Sequence, residues 1–176
     1  MKKYILICFL LFTGFASFGQ KFAYVDTEYI LKHLPEYKSS LNQLNVSSEQ
    51  WQQQVDKNFT DIDKLYKAYQ ADQVLLTADM RKRRENEIIE KEKDAKDFQK
   101  SIFGPDGQLF QNRTKLLSPI QDKVTKAIGE VAKAKFFDFI FDKSSEATMM
   151  IYASSNYDVS NDVITRLGYK PGTILK

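Results

Sequence analysis

From Glu36 to Phe103 the chain runs 68 residues without a proline or glycine, rich in Lys, Glu, Gln, Asp and Leu. Drawn as one straight helix, that stretch would reach roughly 100 Å, far longer than a small domain can bury. Helical stability normally comes from packing an apolar face, so a rod of this length requires a partner helix. Most of such a chain is arm. An arm suits reaching, spacing or gripping better than chemistry on a small substrate.

The apolar positions support a hairpin. They recur at Leu41, Leu44, Trp51, Val55, Phe59, Ile62, Tyr66 and Tyr69, with steps from Trp51 of 4, 4, 3, 4 and 3, coiled-coil spacing with one stutter. The strongest local breaker is FGPDG at residues 103–107, but a reversal there leaves a return too short to match the outgoing helix. Residues 70–77 (QADQVLLT) make the better tip, since Thr77 can cap the next helix and Asp79 lies in its first turn. FGPDG then becomes a kink or bulge in the returning arm, which resumes with Leu109, Phe110, Leu116, Leu117, Ile120, Val124, Ile128 and Val131. The arm aromatics Trp51, Phe59, Tyr66, Tyr69, Phe98 and Phe110 are expected mostly in the hairpin core.

The chain ends carry β-type patterns. Residues 21–25 (KFAYV) read as a strand, and Asp26 or Thr27 can cap a following helix with Ile30, Leu31 and Leu34 on its apolar side. After Lys135 the period switches to two, with Phe137, Phe139 and Phe141 alternating with Asp138, Ile140 and Asp142. Residues 148–153 (TMMIYA) read as a further strand, and Ser160 is placed to cap a last helix that Gly168 ends. The expected fold class is α+β, mostly α: a long antiparallel helical hairpin over 36–135, with a small β-containing body from 20–35 and 136–176. Three short strands make too small a core to stand alone. Self-association through Phe22, Tyr24, Phe137, Phe139, Phe141 and Ile151 would cover their apolar surface and strand edges.

The first residues read as an address. Lys2 and Lys3 precede an apolar run from Tyr4 to Phe15, and Ser17 and Gly19 supply the small residues of a signal-peptidase site. Cleavage after Gly19 leaves Gln20 as the terminus and an exported chain. It also removes the only cysteine, Cys8, so disulfides and thiolate chemistry are excluded from the mature protein. Loss of two lysines lowers the formal charge of +3 by two, and this near-neutral balance argues against a nucleic-acid binder. Catalysis has little to draw on. His33 stands without a cysteine or serine motif, the carboxylates of 85–97 alternate with lysines as on a solvated face, and neither metal-ligand spacing nor a nucleotide fingerprint occurs. No cofactor and no enzymatic activity are expected.

Arg81, Lys82, Arg83 and Arg84 form a basic cluster near the positive end of the returning helix, where cations are mildly unfavourable by about 0.3–1 kcal/mol each at most. Their acids follow at i+4 (Arg81–Glu85, Arg83–Glu87), the poorer orientation. Local helix stability does not favour this arrangement. It reads either as solubility of an exposed tip or, with Leu75 and Leu76, as a surface for acidic polypeptides, anionic lipid or lipopolysaccharide.

In order along the chain stand KFAYVDTEYIL, the polar hairpin, FFDFIFDKSS and IYASSNYDVSNDVITRLG. With the signal segment, this order resembles the Skp/OmpH family of periplasmic chaperones over essentially the whole mature length. FGPDG departs from compact members and looks like a longer variant. The resemblance implies a homotrimer with a β body and three helical tentacles around a cavity. It also implies ATP-independent holding of unfolded outer-membrane β-barrel proteins in transit through the periplasm. The alternative from a different class is a periplasmic coiled-coil adaptor that binds one specific envelope partner.

Overall fold

The computed structural model describes residues 19–172 of the chain; the signal peptide expected over 1–19 lies, up to residue 18, outside the described residues. The fold is mostly helical, with one small sheet, and the residues group into two compact units. One unit spans Leu34–Lys123 and the other holds both chain ends.

In the first unit, helix α2 (Pro35–Asp72) runs antiparallel to α3 (Ala78–Phe103); α4 (Gln108–Lys135) follows after a short break, and its residues from Val124 belong to the other unit. Pro35 opens α2 at the first helical position, where its missing N–H costs nothing. The Thr77 side chain accepts the Met80 amide at 3.3 Å and caps α3, with Asp79 in the first turn. Ile62, Ile88 and Ala95 form the buried seam between the two helices, and Leu65 and Tyr69 pack against it.

The seam differs from the expected one. From Trp51 onward the covered positions on α2 are Trp51, Val55, Asn58, Ile62, Leu65 and Tyr69, a regular alternation of four and three without a stutter. Asn58 and Leu65 hold the places that hydrophobicity alone assigns to Phe59 and Tyr66. Each helical step turns the side chain by about 100°, so a one-residue offset carries Phe59 and Tyr66 to the outside, 36% and 49% exposed. Phe110 is also exposed, whereas Trp51, Tyr69 and Phe98 are half-buried.

The α3–α4 break is a closed turn. Gly104 donates to the Lys100 carbonyl at 2.8 Å, Gly107 to the Gly104 carbonyl at 2.9 Å, and Gln111 to the Gly107 carbonyl at 3.0 Å. A Cβ on Gly107 would stand 2.3 Å from the Ile102 carbonyl oxygen, so backbone passes where a side chain would begin. Helix α4 continues through Pro119, which faces solvent.

In the second unit, β1 (Phe22–Val25) pairs in parallel with β2 (Phe139–Asp142), in register Phe22↔Phe139 through Val25↔Asp142. Parallel strands need a long crossover, and here it contains the whole hairpin. Helix α1 (Thr27–Lys32) is capped by Asp26, whose Oδ1 accepts the Tyr29 amide at 2.9 Å. It packs on α5 (Ser160–Arg166), burying Ile30, Val163 and Ile164 completely. Asp142 knots the unit together. It accepts the Thr27 hydroxyl at 2.6 Å and amide at 3.2 Å, and the Ser144 hydroxyl at 2.8 Å and amide at 3.0 Å.

Two local readings are corrected. Residues 148–153 form no strand; Thr148 donates to the Ser145 carbonyl and Met150 to the Thr148 carbonyl, turning the backbone away from any ladder. At Tyr24 the free side of β1 is already taken by Asp158 and Val159, which leaves the segment no edge within its own sheet on that side. Ser160 is the first helical residue of α5 rather than its cap. Its hydroxyl instead donates to Asp158 at 2.6 Å and accepts the Asp26 amide at 2.8 Å, fastening α5 to the β1 end.

Candidate functional site

The two sets of residues singled out in the sequence lie in different units. At the turn of the hairpin, Leu75 is 81% exposed, Val74 beside it is equally open, and Leu76 is half-buried. Arg81, Lys82, Arg83 and Arg84 follow on the first turns of α3 and are all exposed. The poorly oriented i+4 pairs Arg81–Glu85 and Arg83–Glu87 do not form among the described residues, and their acids take other partners. Glu85 accepts the Tyr69 hydroxyl from α2, and Glu87 accepts Arg84 at 3.5 Å. The bond to Glu85, aided by desolvation, pushes the Tyr69 hydroxyl above its ordinary value. Arg81 donates to the Leu76 carbonyl at 3.2 Å, which ties the basic turn to the apolar one. Lys82 and Arg83 make no ion pair among the described residues and project charge into solvent. Met80, half exposed in the same turn, completes an apolar group bordered by cations that the sequence reading did not include.

The sheet carries the other set. Phe22 stacks on Phe139 at 5.7 Å and on Phe141 at 6.2 Å between ring centroids. The parallel register puts these rings on one face, and each remains about half exposed. Tyr24 is buried instead, with Lys143 Nζ 5.9 Å from its ring centroid. Phe137 is half-buried, while Ile151 is 94% exposed in the segment that forms no strand. A groove of about 640 Å³ runs past Phe22, Tyr24, Phe137, Phe141, Met150 and Tyr152. Met149, Tyr152 and Tyr157 are exposed nearby in sequence, so the apolar surface is larger than the six residues first named.

Phe136 adds an oddity that periodicity could not reveal. It sits at φ 57° just past α4, with Phe137 donating back to the Ala132 carbonyl at 3.0 Å. This is the left-handed helix terminus that glycine usually occupies, and the Phe136 ring is 78% exposed. At the end of α5 the same geometry is filled by Gly168, φ 89°.

His33 is buried. Its Nδ1 lies 2.8 Å from the Tyr29 carbonyl and its ring meets Tyr29 edge-on at 4.5 Å. Nε2 has no partner among the described residues, so the ring is only half satisfied and no carboxylate orients it. No group of His, Cys, Asp or Glu among the described residues has the arrangement of a metal site, and no described helix is long and apolar enough to cross a membrane.

A polar helical hairpin with an exposed apolar and basic turn, in a chain whose small sheet leaves aromatic rings about half exposed, defines a mostly helical α+β class of long hairpin and small sheet. Comparison with known proteins gives that class a family. The outer membrane protein (OmpH-like) family matches residues 21–167, so the chain belongs to it. A crystal structure of a proposed OmpH-like outer membrane chaperone from Caulobacter crescentus superposes with a TM-score of 0.64 at 17% identity, covering 85% of this chain and 84% of that one. At that identity the likeness speaks for the fold. No curated protein sequence matches the chain significantly.

Proposed function

We propose that this protein is a periplasmic holding chaperone that binds unfolded outer-membrane β-barrel proteins without nucleotide and keeps them from aggregating. The observation that carries the reading is the exposed turn of the hairpin, apolar at Val74 and Leu75 and basic from Arg81 to Arg84, in a chain of the OmpH-like family. Unfolded barrel strands expose alternating apolar residues and open edges, which pair with one another unless shielded. Dispersed apolar and charged groups on an arm hold such chains weakly, without selecting one sequence.

The N-terminal signal directs export and is cleaved after Gly19. Assembly is as a homotrimer through the stacked face of Phe22, Phe139 and Phe141, with Tyr24, Phe137 and Ile151 at its margins. The β2 edge, unpaired among the described residues, is a second point of contact. The basic turn steers acidic clients and meets anionic lipid or lipopolysaccharide surfaces.

The test is client range. The mature chain is mixed with two unrelated unfolded barrel proteins and with envelope extract, and complexes are separated by size. Capture of both barrels is expected. Capture of neither, with one folded envelope protein retained instead, makes the chain an adaptor. Replacing Arg81, Lys82, Arg83 and Arg84 with glutamine is expected to slow capture at low salt and to change little at high salt.

A further inference from the structure

We propose that the exported chain carries pyroglutamate at position 20, an inference that rests on the export reading above. Leader cleavage between Gly19 and Gln20 would expose an α-amine on a residue whose own side chain is a carboxamide. The amine nitrogen then attacks Cδ of that carboxamide, an N–Cδ bond forms as the Cδ–NH2 bond breaks, and ammonia leaves. The product is a five-membered lactam, and no oxidant or co-reactant is consumed.

The structure leaves this step unhindered. Order in the sheet begins one residue later: the Lys21 amide donates to Asp138 Oδ2 at 2.8 Å, and the Lys21 carbonyl accepts the Asp138 amide at 2.9 Å. Gln20 is exposed and its side chain makes no hydrogen bond among the described residues, so ring closure breaks no contact of the fold. Gly19 and Gln20 are both exposed, and nothing lies within 4 Å of where a Gly19 Cβ would stand.

Cyclisation also suits the place. Gln20 lies at the lip of the groove lined by Phe22, Tyr24, Phe137 and Phe141. An ammonium there would set a positive charge beside rings that association must desolvate, with the Asp138 carboxylate already accepting the Lys21 amide, and such a charge is costly to bury. The lactam is neutral, and it closes the terminus to aminopeptidases.

Intact mass and N-terminal sequencing of the chain recovered from the envelope of an exporting cell test the proposal. The expected chain starts at position 20, is about 17 Da lighter than its sequence mass, and resists stepwise sequencing. A pyroglutamyl peptidase should then release the lactam residue and leave Lys21 as the new terminus. A Gln20→Ser variant should show its full mass and sequence freely. A chain cut after Gly19 that keeps a free Gln20 amine overturns the cyclisation alone. An uncut chain, or one cut elsewhere, overturns it together with the cleavage reading.

Discussion

One substitution, glycine to alanine, should have opposite effects at two positions of the helical region. At Gly107 the added Cβ would lie 2.3 Å from the Ile102 carbonyl oxygen, 2.7 Å from its carbon and 3.0 Å from the Gly104 nitrogen. All three neighbours are backbone, held by the 2.9 Å bond from Gly107 to Gly104 and the 3.0 Å bond from Gln111 to Gly107. Relief therefore requires moving the turn that joins α3 to α4, and with it Ile102, only 1% exposed. Overpacking of this kind costs about 1–3 kcal/mol, and loss of a turn hydrogen bond adds about 1 kcal/mol. At Gly129, within α4, a Cβ meets nothing within 4 Å. There the methyl group only restricts the unfolded chain and improves helix propensity, stabilising by about 0.5–1 kcal/mol. Urea unfolding followed by circular dichroism should place Gly107→Ala below wild type by about 2–4 kcal/mol and Gly129→Ala above it. Equal midpoints for wild type and Gly107→Ala would mean that the 104–107 turn yields freely, and the closed-turn description would fail.

Asp142 sets an acid limit for the sheet unit. Partial burial pushes its carboxyl up, but the bonds from Thr27 and Ser144 outweigh this and hold it below the ordinary value. A depressed folded value means that the stabilisation is present above the unfolded carboxylate range and disappears as pH falls through the folded one. Stability should thus decline below about pH 4, and Asp142→Asn should lose about 1–3 kcal/mol at pH 7 while showing a flatter acid profile by urea titration. Phe136→Gly removes a left-handed phenylalanine and should raise stability by about 1 kcal/mol, seen as a higher melting temperature, whereas Phe136→Ala should not. In the hairpin, Ile62→Ala should cost about 2–4 kcal/mol and Tyr66→Ala under about 1 kcal/mol in urea unfolding. Equal losses would return Tyr66 to the seam.

The fold class was legible because periodicity over a long polar helix admits few solutions. Thr77 was legible as a cap for the same local reason that it acts as one, since its partner is the Met80 amide three residues on. Readings failed where the deciding contact is distant or depends on phase. Hydrophobicity favours Phe59 and Tyr66, but the helical phase set by Val55 and Ile62 selects Asn58 and Leu65. Residues 148–153 have the composition of a strand but no ladder partner, and composition cannot supply an edge. Ser160 has the right type for a cap, yet its hydroxyl serves the Asp26 amide far away in sequence. Asp142 looked like one member of an alternation, because its partner Thr27 is 115 residues away in sequence. Of the candidate surfaces, the basic turn was visible as composition, whereas the stacking of Phe22 on Phe139 and Phe141 required the parallel register.

The central claim is that this chain holds unfolded barrel proteins, and light scattering tests it most directly. A urea-unfolded outer-membrane barrel protein is diluted into buffer without nucleotide, alone or with a molar excess of the mature chain. The account predicts that scattering is suppressed and that the barrel protein stays competent to fold when lipid or detergent is added. Scattering that rises as fast with the folded chain present as without it would contradict the account.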